Sequence, residues 1–243
     1  MKYDCLIIDD EELLADNTSE YFNMFDLKTK AVYSRNAALD FLAENEAALI
    51  LLDINLGDGS GFELCKHIRE KINVPILFIS ARNTDDDKIL ALNIGGDDYI
   101  EKPYSLGVLL AKVKVILKRM NSMQPDNAGG TGSEAGAEEP LIKDYDDGYL
   151  KIDSVNRCVM VEGRTCRLTS IEVRLLTYMT ENRDRLITKQ ELFDNVWNDR
   201  FTTDGTLNVH IRKIREEIEP DVNNPGYVVT VWKEGYKFIS RKK

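Results

Sequence analysis

Asp9, Asp10, Asp53, Ser80 and Lys102 are the residues of the first half whose types and spacing can do chemistry together. Each follows a short apolar run, at residues 5–8, 49–52, 76–79 and 99–100. In an open parallel sheet, ligands sit at the C-terminal ends of the strands, so these runs would bring the five groups to one edge. Three clustered carboxylates repel one another unless a cation sits among them. Mg²⁺ suits such a site, because it takes oxygen ligands and pairs one or two carboxylates with phosphoryl oxygens. One carboxylate can then attack a phosphoryl donor. The metal and Lys102 offset the transferring charge, and the Ser80 hydroxyl donates to the product. Asp53 is the expected acceptor, because 49–52 is a central strand that aims it at the middle of the pocket. A calcium loop over 53–58 is excluded. An EF-hand needs Asp or Asn where Gly57 stands and Gly where Asp58 stands, and it follows a helix.

The elements that must position these groups are legible as periodicity. Apolar runs at 5–8, 28–32, 49–52, 76–79 and 99–100 alternate with stretches of helical period, such as Leu39 and Leu42, or Phe62, Cys65 and Ile68. That pattern predicts an α/β domain with a parallel five-stranded sheet. Residues 149–152 and 157–161 read as strands, Thr169 with Glu172 as a capping box, and 170–181, 188–195 and 203–218 as helices. A terminal hairpin turning near 233–235 completes an α+β winged helix-turn-helix. Residues 123–139 are rich in Gly, Ala and acid and lack large apolar residues after Met123, so a flexible linker is expected there.

Four stretches stand out: Ile7-Ile8-Asp9-Asp10-Glu11, Leu51-Leu52-Asp53, Ile79-Ser80-Ala81 and Gly96-Asp97-Asp98-Tyr99-Ile100-Glu101-Lys102-Pro103-Tyr104. On them, residues 1–120 resemble a receiver domain, and the whole chain resembles a two-component response regulator of the OmpR/PhoB type. The resemblance implies a flavodoxin-like, doubly wound domain at 1–120, a linker at 121–140 and a DNA-binding domain at 141–243. It implies that Asp53 accepts phosphate from a sensor histidine kinase. Asp10 and Asp53 would hold Mg²⁺ directly, Asp9 largely through water, and the Asn55 carbonyl would complete the ligands. Ser80 and Tyr99 would be the switch pair. The family's usual Pro is Gly57 here, which implies a more mobile loop after Asp53, and its usual Phe is Tyr104.

On a helix over 205–218, Leu207, Ile211, Ile214 and Ile218 form the core stripe. The opposite face carries Thr206, Val209, Arg212, Lys213 and Glu216, flanked by Asn208 and Arg215. Arg and Lys can contact phosphate or guanine, and Asn can contact adenine. His210 falls nearer the core, as a packed histidine. By resemblance to OmpR/PhoB recognition helices and wings, Val209 and Lys213 would face base edges, while Arg212, Arg215, Thr230 and Tyr236 would approach the backbone. Trp232 stands where the wing usually has Arg, with Lys233 next to it. The resemblance also implies a phosphorylation-dependent homodimer through helix four, strand five and helix five. That face is expected to hold Lys88, Asp97, Asp98, Val108, Lys112 and Arg119. RNA polymerase is the implied downstream partner.

The net charge of −10 divides unevenly. Residues 1–120 carry 14 Lys and Arg against 21 Asp and Glu, residues 121–140 four acids and no base, and residues 141–243 18 bases against 17 acids. The last hundred residues can therefore form a basic face. The four cysteines have no CxxC spacing, and no apolar run is long enough for a membrane span or signal peptide, so a reduced cytoplasmic setting without membrane association is expected. No enzymatic turnover is expected. The competing readings are a phosphorylation-independent regulator, or a phosphotransfer protein whose C-terminal module binds protein.

Overall fold

The computed structural model describes residues 1–82, 84–122, 145–153, 158–197 and 204–241. The first domain alternates β1 (Cys5–Ile8), α1 (Glu12–Met24), β2 (Thr29–Val32), α2 (Arg35–Glu44), β3 (Ile50–Asp53), α3 (Gly61–Arg69), β4 (Ile76–Ser80), α4 (Asp85–Ile94), β5 (Asp98–Glu101) and α5 (Leu106–Ser122). The strands form one parallel sheet in the order β2-β1-β3-β4-β5. All residues of β1, β3 and β4 are buried, as strands covered on both faces must be.

Because successive strand side chains point to opposite faces, the sheet has two cores. Leu6, Ile8, Ile50, Leu52, Ile76 and Phe78 pack on one side with Leu64, Cys65 and Ile68 of α3. Cys5, Ile7, Leu51, Leu77 and Ile79 pack on the other with Phe22 of α1 and Leu109, Val113 and Leu117 of α5. The helix α5 runs through Ser122, past the boundary expected at 120. The linker expected at 121–140 falls mostly on 123–144, outside the described residues.

The loop after Asp53 is tied down. Asn55 and Leu56 pair with Ser60 and Gly59. The Asp58 carboxylate accepts the backbone N–H groups of Arg35 (2.7 Å) and Asn36 (3.1 Å) at the start of α2. Gly61 donates its N–H to the Ile54 carbonyl at 2.8 Å, and a Cβ there would lie 1.9 Å from the Asp53 carbonyl oxygen. The chain can return this close behind Asp53 only with glycine.

The second domain contains an antiparallel sheet of β6 (Tyr145–Asp146), β7 (Leu150–Asp153), β8 (Cys158–Val161) and β9 (Arg164–Thr165). Three helical segments follow: α6 (Ser170–Glu181), α7 (Lys189–Leu192), which continues as a wider turn over Phe193–Trp197, and α8 (Asp204–Ile218). The chain ends in the hairpin β11 (Val228–Val231) and β12 (Gly235–Phe238). A strand absent from the sequence reading, β10 (Ile187–Thr188), pairs with β12. Gly235 makes that pairing possible, since its φ is +158° and a Cβ would lie 2.1 Å from the Ile187 carbonyl oxygen.

The two domains touch. The α8 helix packs against α4. Asn73 Nδ2 donates to the Leu168 carbonyl (3.2 Å), Ser170 Oγ to the Asn73 carbonyl (3.2 Å), and the Ile171 N–H to Asp97 Oδ1 (3.4 Å).

Candidate phosphoacceptor pocket and DNA-facing helix

The C-terminal ends of β1, β3, β4 and β5 bring the five sequence-predicted groups to one edge. Asp9 is 1% exposed and Asp53 4%, while Asp10 is exposed. One carboxylate oxygen from each lies within 4.8 Å of the others. Lys102 Nζ sits 2.6 Å from Asp53 Oδ2, 2.8 Å from Asp9 Oδ2 and 2.7 Å from Glu11 Oε1. The Lys102–Pro103 peptide is cis. Burial by itself would depress the lysine, but its hydrogen bonds with Asp53, Asp9 and Glu11 outweigh this and hold it above its ordinary range. Burial raises the Asp9 carboxyl, with Lys102 and the Glu11 N–H pulling the other way. An all-oxygen set of three carboxylates fits a hard divalent cation such as Mg²⁺.

Around this core lies a second set of contacts. Asp53 Oδ1 accepts the Asn55 N–H at 3.1 Å. Ser80 is fully buried, and its Oγ accepts the Arg82 N–H at 3.3 Å. The half-buried Tyr99 donates its hydroxyl to the Arg82 carbonyl at 2.5 Å. The Arg82 guanidinium reaches Asn55 Oδ1 at 2.9 Å. Arg82 therefore joins Ser80, Tyr99 and the loop after Asp53.

In the second domain, Leu207, Ile211, Ile214 and Ile218 are buried as the periodicity required. His210 is fully buried, its Nδ1 3.1 Å from Glu172 Oε1. Glu172 also accepts the Thr169 N–H at 2.8 Å, closing the capping box at the start of α6. Arg212 is exposed and paired with Glu216 at 2.9 Å. Asn208 is exposed, with Oδ1 accepting the Tyr236 hydroxyl at 2.7 Å. Thr206 is half-buried, and Thr230 and Lys233 are exposed. Four expectations change, one of them at Tyr236, which is only 5% exposed. With α8 against α4, Val209 is only 8% exposed, and the Lys213 side chain is 17% exposed with Nζ 3.8 Å from Glu172. Neither presents itself to bases in this arrangement. Arg215 does not project freely either: it donates to the Val228 carbonyl at 2.6 and 2.8 Å and to Thr230 Oγ1 at 2.8 Å.

Residues 5–114 match the family described as response regulator receiver domain, and residues 163–238 match transcriptional regulatory protein, C terminal. The chain is 34% identical over 233 residues to the sensory transduction protein RegX3 of Mycolicibacterium smegmatis, covering 96% of this chain and 97% of that one. It is 33% identical to the uncharacterized transcriptional regulatory protein YcbL of Bacillus subtilis, covering 96% and 98%. A mutant of RitR has a similar fold, with TM-score 0.74 and 20% identity over 99% of this chain and 100% of that one.

The chain belongs to the OmpR/PhoB-type response regulators.

The regulator thus joins a receiver domain to a DNA-binding effector domain of winged-helix form, in a family that controls transcription in response to sensory input. Receiver domains bind Mg²⁺ at an acidic pocket, and the Asp9, Asp10 and Asp53 cluster has that composition. Among the described residues no helix is long and apolar enough to cross a membrane.

The residues expected on a two-fold receiver face are only partly on the surface. Val108 is exposed, and Lys88 Nζ lies 2.5 Å from Glu101 Oε1, a partner on β5 rather than on α5. Asp97 is buried, where it takes Arg69 at 2.7 Å and the Ile76 N–H at 2.8 Å. Asp98 and Lys112 form a buried ion pair at 2.6 Å. Each of these acids is satisfied internally, since a buried charge without a partner is costly. Arg119 lies on α5, and its side chain is outside the described residues. Sequence reasoning missed Glu11, Arg82, Glu172 as a link between α6 and α8, and the Arg215 tether. Glu11 stands next to the Asp9-Asp10 pair, and Glu172 was already marked as a capping residue.

Proposed function

We propose that Asp53 is the phosphoacceptor, that a sensor histidine kinase supplies the phosphoryl group, and that the acyl phosphate governs binding of α8 and the wing to double-stranded DNA. The observation that carries this reading is the position of Lys102, 2.6 Å from Asp53 and 2.8 Å from Asp9 at the strand ends. An Asp53 oxygen attacks phosphorus as the donor's P–N bond breaks, and the electron pair stays with the imidazole. Lys102 moves from a carboxylate partner to the incoming phosphoryl oxygens, offsetting their charge. Asp10, Asp53, the Asn55 carbonyl and Asp9 would hold Mg²⁺, which would supply further charge neutralisation. The Ser80 hydroxyl donates to a phosphoryl oxygen. Because Ser80 Oγ and the Tyr99 hydroxyl both grip Arg82, that shift is passed to the loop before α4 and to the Tyr99 ring.

The α4 helix supports α8, so its displacement frees Val209 and Lys213 for base edges, with Thr206, Asn208, Arg212, Arg215, Thr230, Lys233 and Tyr236 near the backbone. Phosphorylated receivers pair two-fold through the face that includes Lys88 and Val108, and the bound dimer acts on RNA polymerase in the cytoplasm. The protein turns over no substrate of its own beyond its acyl phosphate. Incubation with Mg²⁺ and a small acyl-phosphate donor should add one phosphoryl group, and Asp53→Asn should abolish it. Undiminished labelling of the Asn variant by mass spectrometry would overturn the assignment.

A further inference from the structure

A cleft of about 540 Å³ opens where the two domains meet. Lys66 and Arg69 line it from the receiver, and Arg167 and Lys213 line it from the effector domain; Glu70 is the single acid among its described lining residues. These cations are unequally compensated. Arg69 is held by the Gly95 carbonyl and by Asp97. Glu70 lies 3.7 Å from His67. Among the described residues Lys213 has only Glu172 at 3.8 Å, and that acid already serves the Thr169 N–H and His210. The Lys66 ammonium and the Arg167 guanidinium have no hydrogen-bond or ion-pair partner among the described residues. The convergence is also felt nearby. Burial, against Arg69 and Lys213, one from each domain, which lower it, and with Asp97, which raises it, leaves the Cys65 thiol pushed up to about 11.

Like charges from two domains facing one cavity oppose the arrangement that brings them together. Among the described residues, the hydrogen bonds through Asn73, Ser170 and Ile171 are the polar contacts that favour it. A multivalent anion in the cleft removes the repulsion and adds contacts to both domains at once. A guanidinium takes two phosphate oxygens in a fork, and ammonium groups act as point charges on others. The volume lies within the roughly 300–1,000 Å³ usual for small-molecule sites.

We propose that this cleft binds a polyphosphate group, carried by a nucleoside triphosphate or by free polyphosphate, and that its occupancy holds the regulator closed with Lys213 away from DNA. The regulatory half of this inference rests on the reading of α8 as the DNA-binding helix. The test is calorimetric titration of the unphosphorylated full-length protein, in low salt without Mg²⁺, with tripolyphosphate, ATP and adenosine. One site per chain is expected for both polyanions and none for adenosine. Tighter binding of ATP identifies a nucleotide site, and equal or tighter binding of tripolyphosphate identifies free polyphosphate. Lys66→Glu and Arg167→Glu, both at exposed positions, should each weaken binding at least about tenfold. Lys66→Glu should leave labelling of Asp53 by an acyl-phosphate donor unchanged. Absence of saturable heat from either polyanion, binding of adenosine alone, or unaltered affinity in both variants would overturn the proposal. Failure of the parent protein to label at Asp53 would instead strike the phosphoacceptor reading and leave the titration interpretable.

Discussion

Lys213 Nζ lies 3.8 Å from Oε1 of Glu172, so a side chain expected to read bases is turned back into the protein, toward the acid that caps α6. Two demands meet at one residue. Glu172 completes the start of α6 and anchors α8 through His210 and Lys213. The start of α6 in turn docks on the receiver through Ser170 and Ile171. Closure of the domains and the orientation of α8 are therefore built from contiguous contacts.

Loosening the domain boundary should raise DNA affinity without phosphorylation. Asn73→Ala combined with Ser170→Ala removes two interdomain hydrogen bonds, each contributing about 1 kcal/mol. If closure limits access to α8, affinity for a duplex selected by the effector domain should rise about three- to thirtyfold. Fluorescence anisotropy at fixed salt measures this. Equal affinity of variant and parent would show that closure does not gate DNA binding.

The Glu172 carboxyl links stability to pH. Its burial alone would raise it, but the contacts with His210, Lys213 and the Thr169 N–H outweigh burial and hold it below the ordinary glutamate range. A depressed acid stabilises the fold fully above its unfolded value, near 4.5, and that contribution is lost as pH falls through the lower folded value. Glu172→Gln should cost the effector domain about 1–3 kcal/mol near neutrality. It should also flatten the acid limb of stability below pH 4.5. Urea unfolding across pH checks both, and an unchanged acid limb would remove Glu172 from the account.

Arg215 is a structural strap for the wing. Its guanidinium spans the Val228 carbonyl and Thr230 Oγ1, a geometry that a lysine ammonium does not reproduce. Arg215→Lys and Arg215→Ala should therefore behave alike, each destabilising the effector domain by about 1–3 kcal/mol and weakening DNA binding. Thermal unfolding and anisotropy together test this; full rescue by lysine would mean that charge, and not the fork, matters.

Much of this was legible before the fold. The unbroken apolar run ending at Leu52 reads as a strand covered on both faces, and it places Asp53 at the pocket. The spacing of Leu207, Ile211, Ile214 and Ile218 specified which face of α8 is buried. What stayed hidden was which charges turn inward. Asp97 resembles any acid beside a surface turn, and its partner Arg69 is 28 positions away. Periodicity reports burial averaged over an element and carries no information about which distant cation crosses to meet an acid. The base-facing role of Val209 and Lys213 comes from resemblance within the helix itself, and the covering of α8 by α4 is a tertiary event between domains.

The burial of Asp97 and Asp98 also changes how receiver pairing should be tested. Asp97→Ala would break the contact with Arg69 and expose an unpaired buried charge, so a loss of dimer would report damage to the fold. Val108 is the better probe, being 44% exposed beside a recess of about 280 Å³ lined by Tyr99, Tyr104 and Leu109. A two-fold contact brings each surface against its own copy, so an apolar centre at Val108 would be doubled in the dimer. The Lys88–Glu101 pair, already satisfied within one chain, adds little, since exposed pairs contribute about 0–1 kcal/mol. Unphosphorylated protein is expected to be mainly monomeric, and light scattering should show the mass doubling on phosphorylation. Val108→Asp should suppress the doubling while leaving Asp53 labelling intact, because it places two like charges at the centre of the contact. Lys88→Ala should reduce it only slightly. Persistence of the dimer in Val108→Asp, or a phosphorylated wild type that stays monomeric, would remove pairing through this face from the switching mechanism.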